Sequence, residues 1–290
     1  MSEQAVSSGD VLVGVDGSDA SLRAVDWAAA DAASRDSTLV VCCVAVAGTA
    51  ERPMLWDGQE LILVPAEDVV RKATARARQE SAELVVTGSV LRGDPAQQLL
   101  DRAREARLLV VGARGLGGFI GLLVGSVSEQ VAGHAACPVV VVRGHSSAGL
   151  PVLAGVDGSA ANQAAVWFAF DAAARRGVGL VAMCAAEPHW ITPALGSPAP
   201  LAPDLDSAAD EARSRLDRAL QPWTDRHPDL PVRRVAVVKG AARALVEESS
   251  RAGLVVVGSR GHGTLAGAVL GSVSRHLLHH AECPVAIVRS

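Results

Sequence analysis

Two glycine clusters dominate the chemistry this chain could perform. The first reads Gly112-Ala-Arg114-Gly115, then nine residues, then Gly125-Ser126. The second reads Gly258-Ser-Arg260-Gly261, then nine residues, then Gly271-Ser272. Each follows a short apolar run and precedes Cys-Pro and a second apolar run, at Cys137-Pro138 and Cys283-Pro284. A strand that ends in Gly-x-x-Gly turns sharply and exposes backbone N–H groups with no Cβ to block close approach. A Gly-Ser pair that opens a helix adds free N–H donors and the positive end of the helix dipole. Such a combination suits a polyphosphate. Asp16 and Asp157 end the first strand of each half, where a carboxylate can accept hydrogen bonds from a base or ribose, orient magnesium, or simply cap the turn with Ser18 or Ser159 as alternative caps.

The elements that must position these groups repeat as well. Val11-Leu-Val-Gly-Val-Asp16-Gly17-Ser18 returns as Val152-Leu-Ala-Gly-Val-Asp157-Gly158-Ser159. The second half gains its extra residues most simply in the proline-rich stretch from Ile191 to Pro203, and the seam lies in Arg143 to Pro151. The expected domains are 1–145 and 146–290, each of a size that can bury its own core. In the first half, strands are expected at Val11 to Val15, Leu39 to Val46, Leu84 to Ser89, Leu108 to Gly112 and Val139 to Val142. Helices are expected at Ala20 to Ser34, Val69 to Ser81, Ala96 to Arg104 and Ser126 to Gly133. In the second half the strands fall near 152–156, 179–185, 232–238, 254–258 and 285–288. Apolar strands without alternation, separated by helices, define an α/β fold with a doubly wound parallel sheet in each half. Ligands of such folds sit at the carboxyl ends of the strands.

Composition narrows the classes. Hydrophobic residues make up 49% and charged residues 20%, with a net charge of −4. A general nucleic-acid surface is not expected, no apolar run approaches a membrane span, and a cytoplasmic protein is the expectation. The five cysteines form no Cys-x-x-Cys pair, and small buried residues are the expected reading. Loop arginines Arg114 and Arg260 could reach phosphate, and His262 sits in the second glycine loop. His276, His279 and His280 cluster on the following helix without an evident third metal ligand. Trp56, Trp190 and Trp223 are read as packing residues.

The motifs together resemble the universal stress protein family, in tandem, over about residues 9–145 and 150–290. The resemblance rests on Val-Gly-Val-Asp-Gly-Ser, on Gly-x-x-Gly-x9-Gly-Ser, and on Cys-Pro-Val. It implies two tandem doubly wound, Rossmann-like domains of the adenine-nucleotide alpha hydrolase type, and ATP as ligand with magnesium as its companion. Carried over by position, the implied ATP-contacting residues are Asp16, Gly17, Gly112, Arg114, Gly115, Gly125, Ser126 and Val127 in the first half. The second half gives Asp157, Gly158, Gly258, Arg260, Gly261, Gly271, Ser272 and Val273. Second-strand contacts, made through backbone, are implied near Cys42 and Met183, where the family more usually has Val. The resemblance further implies a regulator of stress, hypoxia or growth, and a homodimer.

No Gly-x-x-x-x-Gly-Lys-Ser/Thr exists and the two lysines, Lys72 and Lys239, lie outside the glycine loops, which excludes a phosphate-loop kinase or NTPase. No carboxylate beside the glycines would activate water, so any ATP hydrolysis is expected to be slow and no catalytic residue is assigned. The first strand misses the dinucleotide fingerprint of an oxidoreductase and only loosely echoes the loop of an ATP pyrophosphatase. A nucleotide-free protein-binding scaffold of the same fold is the remaining alternative, and a protein partner is compatible with either reading. The apolar last strands, Val139 to Val142 and Val285 to Val288, are edges expected to pair with each other.

Overall fold

The computed structural model describes residues 6–46, 55–56, 59–60, 65–81, 83–116, 123–145, 147, 149–186, 189–191, 202–261 and 270–289. The chain divides into two compact units, Met1–Ser146 and Ser147–Ser290.

The first unit runs β1 (Val11–Val15), α1 (Asp19–Ala33), β2 (Leu39–Ala45), a short antiparallel pair β3 (Leu55–Trp56) and β4 (Gln59–Glu60), then α2 (Ala66–Glu80) and β5 (Val86–Arg92). It continues with α3 (Pro95–Ala103), β6 (Leu108–Gly112), α4 (Ser126–His134) and β7 (Val139–Val142). Its sheet has the order β5-β2-β1-β6-β7 and every neighbour is parallel. Register is set by Val13 opposite Val41 on one side and Val110 on the other. All five residues of β1, and all five of β6, are buried. That is why these strands read as unbroken apolar runs: α1 packs with α2 and α3 with α4, leaving neither face of β1 or β6 to water. Strand order reverses between β1 and β6, so their carboxyl ends flank the crevice where doubly wound sheets take ligands.

The second unit repeats the plan. It runs β8 (Val152–Gly155), a 3-10 turn (Ala160–Asn162), α5 (Gln163–Arg176), β9 (Leu180–Ala186), the small pair β10 (His189–Ile191) and β11 (Ala202–Asp204), and α6 (Leu205–Thr224). Then come β12 (Val232–Val238), α7 (Ala241–Ser249), β13 (Leu254–Gly258), α8 (Ser272–His280) and β14 (Val285–Val288). The order β12-β9-β8-β13-β14 is again wholly parallel. The α/β fold with a doubly wound parallel sheet in each half is thus what the chain adopts.

Differences from the sequence expectation have local causes. The third strand of the first unit runs to Arg92 rather than Ser89, because it pairs with β2 through Ala45 and stops only at Gly93, whose φ of +129° few side chains tolerate. Helix α2 starts at Ala66, with Pro65 as its N-cap and Glu67 and Asp68 in the first turn. The two small antiparallel pairs were not foreseen. They are too short to show a period-two pattern. Of the expected Ile191 to Pro203 loop, only Ile191, Ala202 and Pro203 fall within the described residues, as ends of the β10–β11 pair.

Close packing constrains two glycines of the first sheet and one of the second for reasons unrelated to a ligand. A Cβ at Gly14 would lie 2.8 Å from Leu99 Cδ1 of α3, and one at Gly155 would lie 2.8 Å from Val257 Cγ1. A Cβ at Gly112 would lie 2.6 Å from the Ala20 carbonyl carbon, which is backbone and cannot swing aside. Gly112 lets α1 approach β6.

Candidate functional site

The turn after β1 is built on Asp16. Gly17 takes φ +89°, and the Asp16 Oδ1 accepts a hydrogen bond from the Ser18 amide at 3.0 Å. Ser18, not Asp16, is the N-cap of α1, its Oγ accepting from the Ser21 amide at 3.2 Å. The second carboxylate oxygen of Asp16 reaches across the crevice and accepts from the Leu116 amide at 2.8 Å. Asp16 therefore ties the glycine loop to the first-strand turn. A Cβ at Gly115 would lie 2.3 Å from Asp16 Oδ2, so the glycine is what lets this clamp form. Ser18 Oγ adds a longer bond, donating to the Arg114 carbonyl at 3.4 Å.

The second unit has the same turn with an added brace. Gly158 takes φ +79°, and Asp157 Oδ1 accepts from the Ser159 amide at 2.8 Å. Where the first unit has Ser21, the second has buried Asn162, whose Oδ1 accepts from the Asp157 amide at 3.3 Å and whose Nδ2 donates to the Gly155 carbonyl at 3.1 Å. A Cβ at Gly261 would lie 3.1 Å from Asp157 Oδ2, and one at Gly258 would lie 3.0 Å from the Arg260 carbonyl.

Helices α4 and α8 enter the crevice by their N-termini. Their N-caps are Gly125 and Gly271, and no side chain caps either helix. Ser126 and Ser272 are thus the first helical residues rather than caps, followed by Val127 and Val273. The serines that do brace these turns are two positions further on: buried Ser128 Oγ donates to the Gly112 carbonyl and Ser274 Oγ to the Gly258 carbonyl, each at 2.7 Å. Gly125 and Gly271 have ordinary extended backbone, φ −78° and −66°. A Cβ at either would make only van der Waals contacts, at 3.6 Å or more for Gly125 and 3.5 Å or more for Gly271. The packing of the described residues does not require glycine there.

At the second strand, Cys42 and Met183 are buried opposite Gly14 and Gly155. Met183 already gives its carbonyl to the Val156 amide at 2.8 Å. Their neighbours Cys43 and Cys184 share the electrostatic surroundings of the two aspartates. Burial pushes the Cys43 thiol up to about 11, with Asp16 and Glu67 adding to the effect. Burial raises Cys184 too, against Arg215 and together with Asp157 and Glu211. Cys42 instead senses Arg102 and, mainly through burial, rises to about 12. Side chains of successive strand residues alternate in direction, and it is Cys43 and Cys184, rather than Cys42 and Met183, whose thiols feel the aspartates. The aspartate turns also face different walls: a Cβ at Gly17 would meet Val69 Cγ2 at 3.3 Å, one at Gly158 Arg215 Cβ at 3.4 Å.

Other residues singled out from sequence lie elsewhere. All five cysteines are buried free thiols. His276 and His280 stack on α8 with ring centroids 4.4 Å apart, and among the described residues no three His, Cys, Asp or Glu side chains gather to hold a metal. Trp223 Nε1 donates to Gln163 Oε1 at 3.1 Å, joining α6 to α5. His262 and the side chains of Trp56 and Trp190 lie outside the described residues. No helix among the described residues is long and apolar enough to cross a membrane.

A doubly wound parallel sheet with a carboxylate after its first strand, and a helix entering by its N-terminus at the switch point of the strand order, define a class of small α/β domain. The chain belongs to the universal stress protein family, which it matches over residues 8–143 and again over 150–289. A universal stress protein of Mycolicibacterium smegmatis is 37% identical over 296 residues, covering 99% of both chains. One of Mycobacterium tuberculosis is 38% identical over 292 residues, covering 96% of each. Among solved structures, a universal stress protein of Archaeoglobus fulgidus superposes with a TM-score of 0.65 at 19% identity, over 97% of this chain and 98% of that one. A further universal stress protein, solved in complex with cAMP, is 34% identical and covers 48% of this chain, with a TM-score of 0.37.

Proposed function

We propose that each half of this chain binds one ATP, and that occupancy makes the protein a nucleotide-dependent regulator in stress or growth responses rather than an enzyme. The observation that carries the reading is the pair Gly125 and Gly271. Both begin a helix at the crevice, neither helix has a side-chain cap, and among the described residues neither glycine is demanded by backbone conformation or packing. What a side chain there would fill is the space over the first N–H groups of α4 and α8, where a phosphate fits. Gly115 and Gly261, with the amides of Ser126, Val127, Ser272 and Val273, would line the same phosphate cradle. Arg114 and Arg260 would stand at its mouth. Asp16 and Asp157 would offer carboxylates at the ribose end while holding the glycine loops. Magnesium would arrive on the phosphates and keep most of its waters. Contrary to the expectation from sequence, a carboxylate does lie beside each glycine loop, Asp16 and Asp157; Asp16 is engaged by the Ser18 and Leu116 amides, so any turnover would be slow. Binding would then act by fixing the two glycine loops, a change that a partner protein or a second copy of the chain could read.

The test is Gly125→Ser and Gly271→Ser, singly and together. Serine is a better N-cap than glycine by a few tenths of a kcal/mol and accepts from the very N–H groups a phosphate needs. Thermal stability should hold or rise while ATP stoichiometry falls by one site per substitution. Unchanged ATP binding in the double variant would contradict the reading. A strictly monomeric species of 29.7 kDa, with and without ATP, would contradict the homodimer.

A further inference from the structure

The strand ends of the second unit carry two arginines side by side. The Ser259 amide donates to the Val288 carbonyl at 2.8 Å, and the next residues beyond the two strands are Arg260 and Arg289. Arg260 Cα lies 3.5 Å from where a Cβ of Gly271 would stand, so this arginine adjoins the N-cap of α8. Arg289 is half-buried, and its Nη2 is enclosed without a hydrogen-bond partner among the described residues. Enclosed guanidinium nitrogens are ordinarily satisfied, and leaving one bare is costly. Burial holds the Arg289 pKa below its ordinary value, and the Arg260 charge lowers it further. The backbone at Arg260 thus adjoins both the N-cap of α8 and the strand end that carries Arg289, and the two arginine charges act on each other. A group that would satisfy the bare Nη2 and offset the paired charge is an anion with several oxygens, since a guanidinium fork matches phosphate geometry. The first unit has the same placement: the Ala113 amide donates to the Val142 carbonyl at 2.9 Å, with Arg114 and Arg143 next in line.

We propose that Arg289, beside Arg260, grips the outer phosphates of the ligand in the second half and sets its preference for a polyphosphate over a monophosphate. The assignment of the anion to a nucleotide rests on the function proposed above; the anion site itself does not.

The experiment titrates the full chain, wild type and Arg289→Gln, with ATP, AMP and inorganic tripolyphosphate by calorimetry. Arg289→Lys, which keeps the charge but loses the fork, serves as the second variant. Charge-assisted hydrogen bonds of this kind correspond to about ten-fold or more in affinity. Arg289→Gln should weaken ATP at one of two sites by that factor and leave AMP within about two-fold, with Arg289→Lys between. Equal weakening of ATP and AMP, or no change in either, would overturn the proposal. If Arg289→Gln does not fold, Arg289→Lys decides alone, by the same ratio of ATP to AMP. A wild type that binds tripolyphosphate through Arg289 but no nucleotide would overturn the nucleotide reading and leave the anion site standing. A wild type that binds none of the three would overturn both.

Discussion

At the scale of single residues, the glycines of one motif turn out to have three different reasons to exist. Gly112 is needed because α1 presses its backbone against β6. Gly115 is needed because the Asp16 carboxylate occupies the place of its side chain while bonding the Leu116 amide. Gly125 is needed by nothing among the described residues, where a Cβ would make only van der Waals contacts. These reasons separate experimentally. Gly112→Ala should lower the melting temperature sharply, because backbone must move, whereas Gly125→Ala should cost no more than the ~1 kcal/mol of a poor N-cap; differential scanning calorimetry of the two variants checks this. Ser128 makes a matching prediction. Its hydroxyl is the buried partner of the Gly112 carbonyl, so Ser128→Ala should destabilise the first unit by about 1–3 kcal/mol, read from denaturant midpoints. The motif's spacing was plain in the sequence, but the sequence could not tell these roles apart. Whether a glycine faces a clash with backbone, a carboxylate or only ordinary contacts depends on the folded neighbours, which for Gly112 and Gly115 lie about a hundred residues away.

At the scale of elements, strands and helices were legible because a fully covered parallel strand leaves an unbroken apolar run, as in Leu108 to Val111. The face that each strand residue presents was not legible for the same reason: without alternation, no pattern distinguishes Cys42 from Cys43. The aspartate turn offers a contrast between units. The Asn162 side chain accepts from the Asp157 amide and donates to the Gly155 carbonyl, where Ser21 bonds only Ser18. Asn162→Ser should therefore weaken ligand binding in the second half while leaving the first half's site untouched, seen as one of two calorimetric sites shifting. The thiols buried along the strands give a pH prediction. Cys42 is raised to about 12 and Cys43 and Cys137 to about 11, from an ordinary value of 9.0. A thiol raised in the folded state is fully stabilising below its unfolded value and loses that contribution as pH rises toward the folded one. Melting temperature should hold up to about pH 8.5 and fall between about pH 9 and 11. The native thiols should resist a thiol reagent at pH 8 until denaturant is added.

At the scale of the whole molecule, the duplication was the clearest message of the sequence, and it extends to details sequence could not rank. Both units repeat the aspartate turn, the serine-to-carbonyl bond at 2.7 Å, the glycine N-cap and the arginine pair. They differ at the wall facing the aspartate, apolar Val69 in one and the stem of Arg215, paired with Glu211, in the other. The central claim is that both cradles hold nucleotide. The most direct measurement is the identity and stoichiometry of nucleotide released on denaturing the purified protein, repeated after saturation with ATP and magnesium. Two adenine nucleotides per 29.7 kDa chain at saturation is the predicted result. A chain that carries none as purified and takes up none on saturation would contradict it.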